Sequence, residues 1–356
     1  RDIALRPEMT PTLARLVIQK GRELRKPFKW YSMPRLFRYE KAQKGRLREF
    51  FQLNMDIIGT DSIYAEADLL AAIASMLRKF GLKDENFVIG VSSRKLLATY
   101  LEEIGVTNPA LVYPVLDKRL KIGPEAFAKA LAEANVSEEQ VEKLDALMNC
   151  KSIEEVEKLL TKDAAKNALD EIKELFETLS AAGYKDCIAL DLSIVRGLAY
   201  YTGIVFEVFD RGKSMRAIAG GGRYDSLTEK LGGERMPGVG FGVGDVVLAD
   251  LLREYGLLPE PKQSIDFYVA SFTNDIKKIF SVAKEIRSIS SCSVSHPLSA
   301  LKMGKQMDQA NSQGAAIVIY VDGDKASEGT FEYKDLRNGS MHIGSLEEIL
   351  NSLKQG

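Results

Sequence analysis

The sequence predicts an α+β protein, an antiparallel sheet flanked by helices, with an all-helical insertion and a C-terminal α/β domain. Three observations lead there. Short β-branched and aromatic runs cluster in two separate stretches. Between them lies a long block of Ala, Lys, Glu and Leu with scarcely any such runs. From residue 263 onward, strand patterns alternate with helix patterns. A chain of 356 residues exceeds one ordinary core, and the boundaries fall at 1–114 and 180–262 for the two parts of the main body, 115–179 for the helical insertion and 263–356 for the tail.

In order, Thr10-Pro11 reads as an N-cap with proline at the first helical position, followed by Leu13, Leu16 and Val17 at helical spacing. MPRLFRYE and REFFQLNMDIIG read as an antiparallel strand pair around the basic loop Lys41 to Arg46. Glu66 to Phe80 is an amphipathic helix closed by Gly81. Val88 to Val91 is a short strand, followed by a helix through Leu96, Leu97 and Leu101. After the helical block, Cys187 to Leu192, GIVFEVF and MRAIAGG read as strands, and GVGFGVGDVVLADLLREYGLLP as a Gly-rich strand feeding a helix that stops at Gly256. EPKQ is a linker. The tail reads DFYVASF as strand, Lys277 to Ile289 and Ala300 to Gln313 as helices, AAIVIYV and GTFEYKDL as strands, and SLEEILNSL as a last helix.

Apolar residues at 45% and charged residues at 28% are the balance of a soluble globular protein. No stretch approaches the ~20 consecutive apolar residues of a membrane span, so a cytoplasmic location without membrane partners is expected. Cys150, Cys187 and Cys292 are far apart and only two histidines exist, so neither a metal site nor a disulfide framework is readable. A net charge of −1 excludes wholesale attraction to nucleic acid, and any RNA contact must be a local patch. The chain opens at Arg1 on RDIALRPEMTPT, as though cut from something longer.

Five segments carry chemistry. In FRYEKAQKGRLREFFQLNMDIIG, residues an even number apart share a strand face, so Gln52 points with Asp56 and Arg38 with Glu40. Arginine beside acids and amides suits a ligand bearing phosphate and amine; a solvated hairpin face is the other reading of that pattern. In SIVRGLAYYTGIVFEVF, Arg196, Tyr200 and Tyr201 stand at the mouth of an apolar run, where a charge needs a partner or a ligand; a structural salt bridge would also serve. AIAGGGRYDSL and GVGFGVGDVV match neither a Walker loop nor a Rossmann turn; alone they read as a tight turn and as close helix–strand packing. LRPEMTPT places Glu8 ahead of a helix start, where an acid favours the helix dipole.

Together and in this order, the segments resemble the class II aminoacyl-tRNA synthetases and, within them, the histidyl-tRNA synthetase family. LRPEMTPTLAR resembles the loop that grips the amino acid, FRYEKAQKGRLREFFQLNMDIIG motif 2, SIVRGLAYYTGIVFEVF and AGGGRYDSL the two histidine signatures, and GVGFGVGDVVL motif 3. ALKMGKQMDQANSQGAAIVIYVDGD and GTFEYKDL resemble the anticodon-binding domain, and VLDKRLKIGPEAF the start of the family's insertion. The resemblance implies ATP-dependent activation of L-histidine and its transfer to tRNA(His), with Mg2+ on the ATP phosphates, a homodimer and no DNA. It implies that Arg38 holds the α-phosphate, that Glu40 and Arg46 position ATP, and that Phe50 stacks on adenine. Glu8, Thr10 and Gln52 would bind the amino and carboxylate ends of histidine, Asp56 and Tyr201 would read the imidazole with Tyr200 beside them, and Arg196 would stabilise charge at the α-phosphate.

Two departures stand out. Motif 3 usually ends in Gly-x-Glu-Arg, with the arginine on the terminal phosphate of ATP, whereas Gly244 and Asp245 stand at those places here; Arg46 is the basic residue expected to take over. Ala199 replaces a frequent acid in RGLAYY. The weakened motif 3 keeps a second reading open, a non-catalytic paralogue acting as a regulatory subunit or tRNA sensor. A synthetase of prolyl or threonyl type should lack RGLAYYTG.

Overall fold

The computed structural model describes residues 3–39, 41, 45–117, 119, 122–196, 198, 200–212, 215–259, 264–322 and 329–353. Glu40, Ala199 and the EPKQ linker, named from the sequence, lie outside them. The chain divides into two compact units, 1–258 and 259–356.

The first unit is built on an eight-stranded sheet. Its strands are β1 (Phe28–Ser32), β2 (Arg35–Phe37), β3 (Glu49–Ile58), β4 (Phe87–Ser93), β5 (Ile188–Leu190), β6 (Ile204–Asp210), β7 (Ala219–Arg223) and β8 (Gly238–Gly244). The order is β1-β3-β8-β7-β6-β4-β5, with β2 pairing β3. Every pair is antiparallel except β4 with β5, which run parallel at one edge. The expected hairpin pairs Leu36 with Phe50. Strand β1 is absent from the sequence reading, because its Phe-Lys-Trp-Tyr-Ser run is short and follows a proline.

Alternation decides what each face of the sheet does. Ile57 of β3, Val239, Phe241 and Val243 of β8, and Phe206 and Val208 of β6 are buried in one cluster with helices α2 (Tyr64–Lys79) and α3 (Arg94–Glu103). Helix α2 contributes Leu69, Leu70, Ile73 and Leu77 to that cluster, at the i, i+3, i+4 spacing of one helical face. Each buried aliphatic side chain there is worth roughly 1.5–3 kcal/mol before entropy. The helix ends as read from the sequence: Gly81 takes a φ of +95°, a conformation that a side chain would strain.

Among the described residues, the Ala/Lys/Glu/Leu block forms helices and no strand: α4 (Pro109–Leu116), α5 (Pro124–Glu133), α6 (Glu138–Asn149), α7 (Ile153–Leu159) and α8 (Asp163–Ala181). Its buried residues, among them Leu131, Leu144 and Ile172, belong to the same cluster as the apolar face of the sheet. Helix α4 begins at Pro109, ahead of the expected boundary at residue 115, because proline is well placed in a first turn. Arg94 stacks on Tyr113 of α4, its Cζ 3.7 Å from the ring centroid.

Among the described residues, the remaining α-helices of this unit are α1 (Thr10–Lys20), α9 (Leu227–Lys230) and α10 (Asp245–Glu254). Helix α1 is capped at Met9 and begins one residue earlier than read from the sequence; Thr10 is its first helical residue rather than its cap.

Among the described residues, the second unit has five strands: β9 (Ile265–Ala270), β10 (Val294–Ser295), β11 (Ala315–Tyr320), β12 (Thr330–Asp335) and β13 (Met341–Ser345). Their order is β10-β9-β11-β12-β13, parallel between β10, β9 and β11 and antiparallel beyond. Odd residues Phe267, Val269, Ile317 and Ile319 pack on α11 (Ile276–Ile289), while even residues Tyr268, Ala270, Val318 and Tyr320 face α12 (Met303–Ser312). Helix α13 (Leu346–Leu353) completes the first of these layers. The two-residue β10 and the edge strand β13 escape sequence reading because neither has an apolar run.

Candidate active site

The face of the large sheet away from the helical core is unusual in having almost no side chains at its centre. Register places Asp56 of β3 opposite Gly240 of β8, Gly240 opposite Gly222 of β7, and Gly222 opposite Val205 of β6. The next row on this face is Asn54, Gly242, Gly220 and Glu207. Beyond it, Gln52 lies opposite Gly244. Gly220, Gly221, Gly222, Gly240 and Gly242 are thus mid-strand, and the tight turn and the helix–strand contact read from the sequence are not what they serve.

They serve as room for neighbouring side chains. A Cβ on Gly220 would lie 2.0 Å from Nη1 of Arg196, one on Gly240 1.9 Å from Oδ1 of Asp56, and one on Gly242 2.7 Å from Cδ of Gln52. On Gly222 it would meet Cδ1 of Tyr201 at 2.9 Å. Real Cβ contacts do not fall in this range, so polar side chains from β3 and from the loop before β6 lie flat over a glycine floor. A cleft of about 460 Å³ remains above it, a size typical of small-molecule sites.

Arg196 is the most constrained group in the cleft. Its backbone φ of +53° is rare for a side-chain-bearing residue, and its Nη1 donates to Glu207 Oε1 at 2.8 Å. Burial opposes its charge, yet Tyr201 and Glu207 hold its pKa above the ordinary arginine value. The charge read at the mouth of the apolar run therefore has a structural partner and still lines the cleft. Arg38 donates Nε to the carbonyl of Pro7 at 2.9 Å and lies over the Phe50 ring, 5.0 Å from its centroid. Both residues line the cleft.

The opposite end is aromatic. Tyr200 donates its hydroxyl to Glu8 Oε2 at 2.9 Å and packs edge-on against Tyr224, while Tyr201 tilts against Tyr200. Burial, then Tyr201 and Glu8, push the Tyr200 phenol above its usual range. Tyr224 donates to Asp56 Oδ1 at 2.5 Å. Asp56 is 7% exposed; burial pushes its pKa up to about 7, against the lowering effect of the Tyr224 hydroxyl.

Of the residues singled out in the sequence, Glu8, Thr10, Arg38, Arg46, Phe50, Gln52, Arg196, Tyr200 and Tyr201 all line this one cleft. Asp56 does not. Gln52 and Asp56 share a face, as their spacing requires, but Asp56 lies behind Tyr224, and the group facing the cleft there is the Tyr224 ring. The reading of motif 3 is refined as well. Gly244 lines the cleft and Asp245 opens α10 without lining it, and the first-turn residues that do line it are Val246 and Val247.

The lining residues that were not singled out include Glu207, Tyr224 and Arg216. Glu207 had a signal, as the lone charge inside GIVFEVF. Tyr224 sits in GGGRYD without a pattern marking it, and Arg216 is merely the second residue of MRAIAGG. Neighbouring Arg223 points away from the cleft floor, into a buried ion pair with Glu66, Nη2 to Oε2 at 2.5 Å, reinforced by Asp225. Among the described residues, no three His, Cys, Asp or Glu side chains converge as a metal cage.

A family model described as histidyl-tRNA synthetase matches residues 1–245. The chain is 42% identical over 279 residues to a chloroplastic/mitochondrial histidine–tRNA ligase of Arabidopsis thaliana, covering 78% of this chain and 57% of that relative's length. It is 38% identical over 343 residues to a histidine–tRNA ligase of Opitutus terrae, covering 94% of this chain and 78% of the relative. In fold it matches a crystal structure of histidyl-tRNA synthetase from Nostoc sp. PCC 7120, with a TM-score of 0.77 at 24% identity, over 100% of this chain and 85% of that one. The chain belongs to the histidyl-tRNA synthetase family, and with it to the aminoacyl-tRNA synthetases.

Proposed function

We propose that the cleft activates L-histidine with ATP and passes the histidyl group to tRNA(His), as a histidine–tRNA ligase. In the first step a carboxylate oxygen of histidine attacks the α-phosphorus of ATP, an O–P bond forms, and pyrophosphate leaves with the electron pair of the broken bond. In the second, a ribose hydroxyl at the 3′ end of the tRNA attacks the acyl carbonyl and gives its proton to solvent, an ester bond forms, and the bond from the acyl carbon to the phosphate oxygen breaks as AMP leaves with its electron pair.

Neither step needs a covalent contribution from the protein, so positioning and charge stabilisation dominate. The convergence that carries the assignment is Arg196, held by Glu207 over Gly220, in one cleft with Arg38, Gln52 and Glu8. Arg196 and Arg38 would meet the charge that grows on the α-phosphate. Glu8 and Gln52 would hold the ammonium and carboxylate of the amino acid. The tyrosine wall, with Asp56 behind Tyr224, would receive the imidazole, and a ring-nitrogen partner there rejects apolar side chains strongly.

Magnesium is expected to arrive on the phosphates of ATP. The carboxylates that line the cleft, Glu8 and Glu207, are engaged by Tyr200 and Arg196, so the protein would add at most a small share of its ligands. Exposed Tyr31 and Met33, on and just after edge strand β1, offer an apolar surface to a second copy, and a homodimer is the assembly proposed. The cytoplasm is the proposed compartment; the three cysteines are free thiols, and among the described residues no helix is long and apolar enough to cross a membrane.

A regulatory, non-catalytic role has one observation in its favour, the absence of a cation from the cleft-lining part of α10. Exchange of labelled pyrophosphate into ATP separates the readings. Histidine should stimulate exchange by the full chain, and proline and threonine should not. Binding of tRNA(His) without any histidine-dependent exchange would decide for the regulatory role.

A further inference from the structure

Sheet register orders the cleft from end to end. The Asp56–Gly240–Gly222 row carries the Tyr224 and Tyr201 rings. The Asn54–Gly242–Gly220–Glu207 row carries Arg196, and Gln52 lies opposite Gly244 one row further. Successive rows are roughly 6.6 Å apart. Past them, where β7 has not yet begun, stands Arg216, four residues before Gly220 and at most about 14 Å from it along the chain. Its side chain reaches the hairpin between β2 and β3, with Cδ 3.8 Å from the Cβ position of Gly45, and Cγ2 of Val247 lies 3.4 Å from that same point. Arg216 therefore occupies the corner between the hairpin loop and the first turn of α10.

Its backbone is held on both sides. The Met215 amide donates to buried Asp210 at 2.9 Å, and the Ile218 amide donates to the carbonyl of Val208 at 2.7 Å. These bonds fix the approach of a side chain that is itself solvent-exposed.

We propose that Arg216 clamps the β- and γ-phosphates of ATP, doing from the β6–β7 connection what the first turn of α10 has no cation to do. The proposal rests on the ATP reading of the cleft and deepens it. In-line displacement requires the departing pyrophosphate to lie opposite the attacking carboxylate. With the amino acid at the Glu8 and Tyr224 end and the α-phosphorus at Arg196, the leaving group projects along the rows toward Gly45, Val247 and Arg216. Arg46 lines the same end, and two guanidiniums there match a group carrying most of the charge of ATP.

The test is Arg216→Met, which keeps the apolar stem and removes the charge, with Arg216→Lys as the conservative partner. In pyrophosphate exchange, Arg216→Met should raise KM for ATP and for pyrophosphate about 10- to 100-fold, the range of one charged hydrogen-bonded contact. KM for histidine and the inhibition constant of AMP should change less than about two-fold, and Arg216→Lys should recover part of the loss. An unchanged KM for ATP overturns the clamp. So does an equal loss of ATP and AMP affinity, which would mean that the residue acts on the nucleoside or on the fold. Wild-type protein that binds neither ATP nor AMP would overturn the ATP reading itself and remove the clamp with it, a result distinct from a defect confined to the variant.

Discussion

Gly220 exists to be lain upon by Arg196: a methyl group at that position would stand 2.0 Å from Nη1 of the guanidinium. The atom in the way is the far end of a flexible side chain, so Gly220→Ala should leave the fold intact while expelling Arg196 from its place beside Glu207. Loss of one well-placed stabiliser of transition-state charge costs about 100- to 1000-fold in rate. Gly221→Ala is the counterpart. Its Cβ would meet the backbone oxygen of Gly240 at 2.2 Å, which cannot rotate aside, and it should destabilise the protein by more than about 3 kcal/mol. Exchange kinetics and urea melts of the two variants should therefore dissociate; if both lose stability alike, the role given to Gly220 is wrong.

Removing the guanidinium itself makes a complementary test. Arg196→Ala should lower the adenylation rate about 100-fold or more while changing histidine affinity little, because in the role proposed for it the group acts on charge that develops only during attack. Single-turnover formation of the adenylate, set against equilibrium binding of histidine, measures the two separately. An equal loss in both would reassign Arg196 to substrate binding.

The Asp56 carboxyl, raised by burial to about 7 from 3.8, has a defined effect on stability. Between these values the unfolded chain carries an ionised Asp56 and the folded chain a protonated one. The folded state then binds the extra proton, so this group's contribution is fully present below about pH 4 and is lost as pH rises toward 7. Asp56→Asn keeps an acceptor for Tyr224 without titrating. Across that window the stability of the wild type should fall relative to the variant by an amount on the order of 4 kcal/mol. Urea midpoints at the two ends, measured without histidine because its imidazole titrates in the same range, give the difference directly; parallel pH profiles would show that Asp56 is ionised in the folded protein throughout.

Arg223 and fully buried Glu66 form an ion pair beneath β7. Breaking one side leaves an unpaired buried charge, and Arg223→Met should cost about 3–5 kcal/mol. The double variant Arg223→Met with Glu66→Leu should recover most of that, since neither charge then remains. Thermal or urea unfolding of the four proteins closes the cycle. Additive losses would mean that the two residues are not coupled.

Much of this was legible from the chain alone. Period-two runs such as GIVFEVF and REFFQLNMDII named the strands, the Ala/Lys/Glu/Leu block named the helices, and even spacing put Gln52 and Asp56 on one face. Those are local consequences of backbone geometry, which a sequence states wherever an element is long enough to repeat its period. Strands without a repeat, such as β1, β10 and β13, were silent for the same reason.

What only the tertiary structure decided was the use of the sheet's open face. Glycine spacing in GGG and GVGFGVG is identical whether it relieves a turn, a helix contact or a side chain laid across from another strand. Register between β3, β8, β7 and β6 selects the last of these, and in doing so puts Arg196 over Gly220, hides Asp56 behind Tyr224 and leaves Arg216 beside the hairpin loop. Pairing across strands joins residues more than a hundred positions apart, and no local pattern encodes which glycine will lie beneath which side chain.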